Sequence, residues 1–244
     1  MPPLVISHRT NAGDQPENTL AGIAAAIADG ADGVEVDVRA TRDGALVLMH
    51  DETLRRVTGD GRAVADVSLE ELRGLHVYDP RRLRPWEPVP TLEQALAAVG
   101  GRCAIVIDFP MRGLEERVAA TVRVAGAEPW TWFTTHPPED AALLAHECPR
   151  SRVFLSVLAQ PTWVATLGAA VETAARLGLA GVNADHDSVA VAHVEHAHAL
   201  DLEVGVWTVD YPGEIARALD LGVDAITTNL PRRVISTILT REPR

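Results

Sequence analysis

Gly33-Val34-Glu35-Val36-Asp37-Val38 alternates small or apolar residues with acids at a period of two, the signature of a strand whose faces differ. It is one of eight short strand-like runs, the others being Leu4 to His8, Ala104 to Phe109, Trp130 to Thr135, Arg152 to Val157, Ala180 to Ala184, Glu203 to Val209 and Ala225 to Thr228. Most of the intervals hold Ala/Leu-rich stretches of helical periodicity: Thr19 to Asp29, Leu92 to Val99, Leu114 to Val124, Val164 to Leu177, His193 to Leu200 and Pro212 to Leu221. Strand followed by helix, about eight times over, implies a parallel sheet closed on itself. The expected fold is an α/β (β/α)8 TIM barrel of eight parallel strands. If Val34 and Val36 face the helices, Glu35 and Asp37 both point into the barrel.

A ninth run, Leu46 to Asp51, follows Val38 too closely for a parallel crossover, and Asp43-Gly44 between them is a hairpin-turn signal. It is read as an antiparallel return strand, a hairpin extension after strand two. With Asp43 and Gly44 as the two loop residues, His50 stands across from Asp37; a slip of one residue alters the pairing but not the proximity. Residues 51–90 loosen into Gly, Pro and charge-rich sequence, with a helical piece from Ser68 to Leu75 opened by the capping box Ser68-Leu69-Glu70-Glu71. This small insertion is expected to cap the barrel mouth within a single domain spanning 1–244. No internal repeat or interdomain linker is visible.

The 244 residues carry 22 Lys+Arg against 34 Asp+Glu, and the formal charge of −12 argues against a general affinity for nucleic acid or anionic membrane. No apolar run has the roughly 18 residues that a membrane span needs, and Met1 to Ser7 lacks the pattern of a signal peptide. The expectation is a cytoplasmic protein without integral membrane contact; the oligomeric state is left open. All 22 basic residues are arginine, so Schiff-base chemistry by a lysine and a P-loop lysine are excluded. Cys103 and Cys148 suggest neither a disulfide framework nor a zinc site.

Active sites of such barrels lie at the C-terminal ends of the strands. There this sequence places His8-Arg9, Glu35 and Asp37, His50-Asp51, and Asp108. Carboxylates pointing into a barrel repel one another, and a cation or a raised pKa is the usual remedy. Three of them with no cysteine suit a hard ion, Mg²⁺ or Ca²⁺. The competing reading puts Glu35 and Asp37 on the outer face in ordinary ion pairs; Asp108, His8 and His50 alongside outweigh it. Two histidines near a metal can serve as general acid and base or as ligands, and Arg9 offers a forked donor to a phosphate oxygen unless it only neutralises Glu17. His136 and the Asp185-His186-Asp187 cluster are read as helix-start or solvent-facing residues, and His193, His196 and His198 as a polar helix face.

The ordered set His8-Arg9, Pro16-Glu17-Asn18-Thr19, Gly30-Ala31-Asp32-Gly33-Val34-Glu35-Val36-Asp37-Val38, Thr41-Arg42-Asp43-Gly44, His50-Asp51, Pro90-Thr91-Leu92, Trp207-Thr208-Val209 and Gly222-Val223-Asp224-Ala225-Ile226-Thr227-Thr228-Asn229 resembles the glycerophosphodiester phosphodiesterase family over nearly the whole chain. The resemblance implies a hydrolase of lipid metabolism with one divalent ion held by Glu35, Asp37 and Asp108. It also implies His8 and His50 as the acid/base pair, Arg9 on the phosphate, Glu17 orienting Arg9 or a ligand, and Trp207 as an apolar wall at the substrate. In the mechanism it implies, one histidine deprotonates a substrate hydroxyl that attacks phosphorus, the other protonates the leaving alcohol, and the cyclic phosphate is then hydrolysed. The products would be glycerol 3-phosphate and an alcohol.

The chain departs from the family pattern at four places. Thr10 stands where His-Arg is usually followed by Gly, Asp108 where the third ligand is usually Glu, and Asn229 where the acid of a Thr-Asp-x-Pro motif is usual. Pro110 replaces a lysine that would neutralise phosphate charge; Arg112, two residues on, is the candidate substitute. Asn229 keeps hydrogen bonding to a substrate hydroxyl or a partner side chain and loses the charge. These departures motivate two alternatives: a member repurposed as a cyclic-phosphate-forming lyase or for another phosphorylated metabolite, and an inactive barrel that binds a phosphorylated ligand.

Overall fold

The structure, a computed structural model, describes residues 2–78, 87–157 and 167–241. Eleven strands are described: β1 (Leu4–Ser7), β2 (Gly33–Ala40), β3 (Leu46–Leu48), β4 (His76–Val77), β5 (Glu87–Pro88), β6 (Ala104–Asp108), β7 (Thr131–Thr135), β8 (Arg152–Val157), β9 (Gly181–Asp185), β10 (Glu203–Trp207) and β11 (Ala225–Thr228). The α-helices are α1 (Leu20–Ala28), α2 (Arg55–Thr58), α3 (Leu69–Leu72), α4 (Leu92–Val99), α5 (Glu115–Val124), α6 (Pro138–Glu147), α7 (Leu167–Leu177), α8 (Val191–Ala199), α9 (Pro212–Leu221) and α10 (Pro231–Thr240). Residues 79–86 of the expected insertion and 164–166 of the helix expected from Val164 lie outside the described residues.

The strands pair in the order β1-β11-β10-β9-β8-β7-β6-β2, and β1 pairs with β2 to close the ring; every one of these pairings is parallel. This is the expected eight-stranded barrel, with β3 paired antiparallel outside it. Alternation decides what each face meets. Val34, Val36, Val38, Ile105 and Ile107 point outward into the main core and pack with Leu92 and Leu96 of α4 and Val118 and Val122 of α5. The inner face carries a second, smaller apolar cluster of Ile6, Val106, Trp132, Phe154 and Ala225. The Trp132 and Phe154 rings stand 5.4 Å apart, and the Arg152 guanidinium lies 4.5 Å from the Trp132 ring. Gly33 makes room for this plug, because a Cβ there would come within 2.8 Å of Ile6 Cδ1.

The hairpin corrects the expected register. Val38 pairs with Leu48, Arg39 with Val47 and Ala40 with Leu46, one residue away from the two-residue loop expected. The loop is Arg42-Asp43-Gly44: Thr41 N donates to the Ala45 carbonyl, and Gly44 takes φ 86°, as a three-residue hairpin with a left-handed glycine does. Asp37 therefore faces Met49, whose N–H donates to the Asp37 carbonyl at 2.9 Å. The insertion has a core of its own, in which Val47 and Met49 pack with Leu54, Val57, Val64, Val67, Leu72, Val77 and Val89. Its expected capping box is formed: Glu71 N donates to Ser68 Oγ at 3.2 Å and Ser68 N to Glu71 Oε2 at 2.8 Å. Among the described residues no helix is long and apolar enough to cross a membrane.

Candidate functional site

Two residues beyond the inner plug, on the same face of each strand, stand His8, Asp108, Thr134, Ser156 and Thr227. They line a cavity of about 770 Å³ together with Arg9, Glu35, Asp37, His50 and Trp207. Seven residues singled out in the sequence therefore meet in one place. Glu17 and Asn229 do not line it; they border an adjoining cavity of about 490 Å³ that shares His8 and Arg9 with the first.

The turn after β1 brings these groups together. Arg9 and Thr10 adopt φ 45° and 73°, so Thr10 occupies the left-handed conformation that glycine takes at least cost. Its buried side chain fits because residue 22 is glycine: a Cβ there would lie 2.0 Å from Thr10 Oγ1. The turn aims Arg9 N at Glu35 Oε2 (2.7 Å) and Thr10 N at the Glu35 carbonyl (2.8 Å). Asn18, also at positive φ, then clamps Asp37, donating from Nδ2 to Asp37 Oδ2 (2.8 Å) and accepting at Oδ1 from Asp37 N (3.1 Å). Asp108 pairs in register with Asp37 and accepts from Thr134 Oγ1 at 2.9 Å.

Burial pushes the Glu35 carboxyl well up, and the charges of Asp37 and Asp108 add to the push. Asp108 is raised in the same way, by burial and then by Asp37. Three acids of the inner face, Glu35 and Asp37 buried and Asp108 half-buried, form a hard-donor set suited to Mg²⁺ or Ca²⁺. Nevertheless, among the described residues no three acidic, histidine or cysteine groups converge on a single point as a ready-made ion cluster. The fit to an ion is one of donor chemistry and register.

Both histidines have a defined partner. His8 Nδ1 lies 2.8 Å from Asn229 Oδ1, while its Nε2 stands 4.0 Å from Glu35 Oε2; burial and then the Arg9 charge lower its pKa. His50 Nδ1 lies 2.8 Å from Asp51 Oδ1. Asp51 is held far below the ordinary carboxylate range, first by the hydrogen bond from Arg56. Arg56, on α2 of the insertion, spans Asp51 and Glu17, and Glu17 in turn accepts from Arg9 NH1 at 3.2 Å. Burial alone would raise Glu17, but the Arg56 and Arg9 interactions outweigh it and lower its pKa. A continuous ion-paired path thus runs from Arg9 to His50 through the insertion. Arg9 Nε is buried, lacks a hydrogen-bond partner among the described residues and lies 3.6 Å from Asp37 Oδ2.

Arg112 does not enter the cavity: it turns outward to bond Asp140 and Glu139 of α6, each at 3.0 Å. Asp185 does cap a helical turn, accepting from Asp187 N at 2.9 Å. His136 differs from its reading as a capping or solvent-facing residue. Two residues past Thr134, it lines the main cavity, as Pro110 does. The sequence carried a signal for it, since 132, 134 and 136 share a parity. Asn18, Arg56 and Asp210 were also missed as site-builders; Asn18 lay inside a quoted motif, whereas only folding brings the other two to the site.

The family model described as the glycerophosphoryl diester phosphodiesterase family matches residues 8–233. A glycerophosphodiester phosphodiesterase of Caldanaerobacter subterraneus is 28% identical over 250 residues, covering 98% of either chain. A solved Oleispira antarctica phosphodiesterase, in complex with the product sn-glycerol-3-phosphate, superposes with a TM-score of 0.84 at 26% identity over 98% of each chain. A solved protein from Agrobacterium tumefaciens, described as a glycerophosphoryl diester phosphodiesterase, shares the fold with a TM-score of 0.85 at 23% identity, covering 98% of both.

Proposed function

The chain belongs to the glycerophosphoryl diester phosphodiesterase family, and from that premise we propose that it hydrolyses glycerophosphodiesters to glycerol 3-phosphate and an alcohol, using His8 and His50 for proton transfer. The observation that carries this reading is the single cavity in which two partnered histidines, an arginine and three carboxylates meet at the C-terminal end of the barrel. Glu35, Asp37 and Asp108 would hold one divalent ion, which when bound neutralises charge on a phosphate oxygen. Arg9 binds a second phosphate oxygen through its guanidinium. One histidine takes the proton of the substrate hydroxyl next to the phosphodiester as that oxygen bonds to phosphorus. The other gives a proton to the leaving alcohol as its bond to phosphorus breaks. Water then opens the cyclic phosphate with the two proton transfers reversed. Trp207 forms an apolar wall of the cavity.

The test is release of glycerol 3-phosphate from glycerophosphocholine by metal-stripped protein to which Mg²⁺, Ca²⁺ or Mn²⁺ is restored separately. Metal-dependent release is the expected result, and its absence with every metal overturns the reading. Pro110, with no donor to offer, favours one variant of the reading, an enzyme that stops at the cyclic phosphate. ³¹P NMR of the product distinguishes the two, because a cyclic ester that persists at full conversion means that the second step is missing.

A further inference from the structure

Asn229 stands between His8 and a second acid. Its Nδ2 donates to Asp210 Oδ2 at 2.7 Å and its backbone N–H to Asp210 Oδ1 at 2.8 Å; Thr228 Oγ1 donates to the same Oδ1 at 2.9 Å. Asp210 is itself anchored, since Arg233 donates to its carbonyl at 2.9 Å. An ionised carboxylate only accepts, so the amide must turn its NH₂ group towards Asp210. The amide oxygen is then left facing His8 Nδ1, 2.8 Å away, and an amide oxygen also only accepts. The ring proton must sit on Nδ1. In the neutral imidazole Nε2 is consequently a bare lone pair, and it is the nitrogen on the Glu35 side of the ring.

We propose that Asp210 is a positioning residue: it fixes the amide of Asn229 and, through it, the Nδ1–H tautomer of His8, so that Nε2 is presented to the cavity as the proton acceptor. The catalytic part of this inference rests on the phosphodiesterase reading and assigns the two roles within it. His8 Nε2 takes the proton of the attacking hydroxyl, and the resulting imidazolium keeps its other proton on the Asn229 oxygen. The oxygen–phosphorus bond forms, the leaving alcohol's bond to phosphorus breaks, and the alcohol oxygen takes its proton from His50. His50 is held for that role by the Asp51 carboxylate, which lies 2.8 Å from its Nδ1. The acid that governs His8 thus acts from one residue away, through a neutral amide.

The reciprocal swap tests this. In Asp210→Asn the Asn229 backbone N–H keeps the oxygen of the new amide, whose NH₂ group then faces Asn229; the Asn229 amide turns round to accept from it and no longer offers its oxygen to His8, which loses its imposed tautomer. The expected result is a fall in kcat of about 10²-fold, with KM within about threefold and the melting temperature unchanged. Asp210→Asn combined with Asn229→Asp puts the carboxylate directly on His8 Nδ1 with an amide donating to it from behind, and kcat is expected to return to within about tenfold of wild type. Two-bond ¹H–¹⁵N correlation spectra of histidine-labelled, metal-free protein read the tautomer without substrate. Wild type is expected to show Nδ1–H on His8, and Asp210→Asn to lose it. An Nε2–H tautomer in wild type overturns the proposal even if the variant does not fold. An unchanged tautomer and kcat in Asp210→Asn, or a swap that restores nothing while folding normally, overturns it too. If the tautomer behaves as expected and no glycerophosphodiester is hydrolysed, the positioning role stands and the phosphodiesterase reading falls.

Discussion

The inside of this barrel is two regions built on the same strands. One holds Ile6, Val106, Trp132, Phe154 and Ala225; the other, two residues on, holds His8, Asp108, Thr134, Ser156 and Thr227. The backbone is continuous and the side chains share a face, yet one layer is apolar and buried and the other sets an acid, a histidine and hydroxyl groups around an open cavity. Stability and chemistry are separated by a single pleat. The plug stabilises the barrel by apolar burial, and the layer above opposes stability through buried carboxylates that repel one another.

That contrast can be broken from either side. The largest effect expected is from His50→Ala in the polar layer: kcat on a glycerophosphodiester should fall by about 10²–10⁴-fold, roughly 3–5 kcal/mol of barrier, while urea unfolding is unchanged. In the apolar layer Phe154→Ala should do the reverse, lowering unfolding free energy by about 3–5 kcal/mol in urea titrations, with the remaining folded protein still active. If either variant lost both properties equally, the two layers would be one unit.

A pH experiment sharpens the contrast further. Glu35 and Asp108 have folded pKa values above their unfolded ones, so the folded, metal-free protein binds more protons, and stability falls as pH rises from about 4 through those raised values. Asp108→Asn should flatten that slope in melts of metal-free protein at pH 4 to 8, and weaken Mg²⁺ binding by calorimetry. Glu17 and Asp51 have depressed values and act with the opposite sign: their contribution is present above about pH 4 and lost as pH falls through the folded values. The smallest effect expected is therefore from Arg56→Gln, which removes the partner they share and leaves Arg9 on Glu17 and His50 on Asp51. It should lower stability by less than about 1 kcal/mol at pH 7 and narrow its gap from wild type in acid; the pair is partly solvent-screened.

Much of the site was legible before folding because parity does not depend on context. Glu35 and Asp37 had to share a face, Asp108 ended the strand expected beside theirs, and both histidines ended strand-like runs. The hairpin register was misjudged by one residue because Thr41 and Asp43 close a three-residue loop around a left-handed Gly44, a competition between two good turns that local preference does not decide. Arg112 is a candidate substitute for the missing lysine because it is near in sequence; in the fold it turns outward because two acids of α6 compete for it. Thr10 in a left-handed turn was legible as a departure, but the accommodation lies at Gly22, a residue of the following helix.

Period, turn chemistry and the order of elements are properties of neighbours along the chain, and they were enough to establish an eight-fold strand–helix alternation, a hairpin after the second strand and an acidic inner face. Partnership is a property of neighbours in space. Asn229 lies 221 residues from His8, Asp210 reaches that ring only through Asn229, and Arg56 links Glu17 to Asp51 from inside the insertion. Which nitrogen of His8 carries its proton follows from those contacts, because hydrogen-bond direction is set by the partner opposite and closing the barrel chooses that partner.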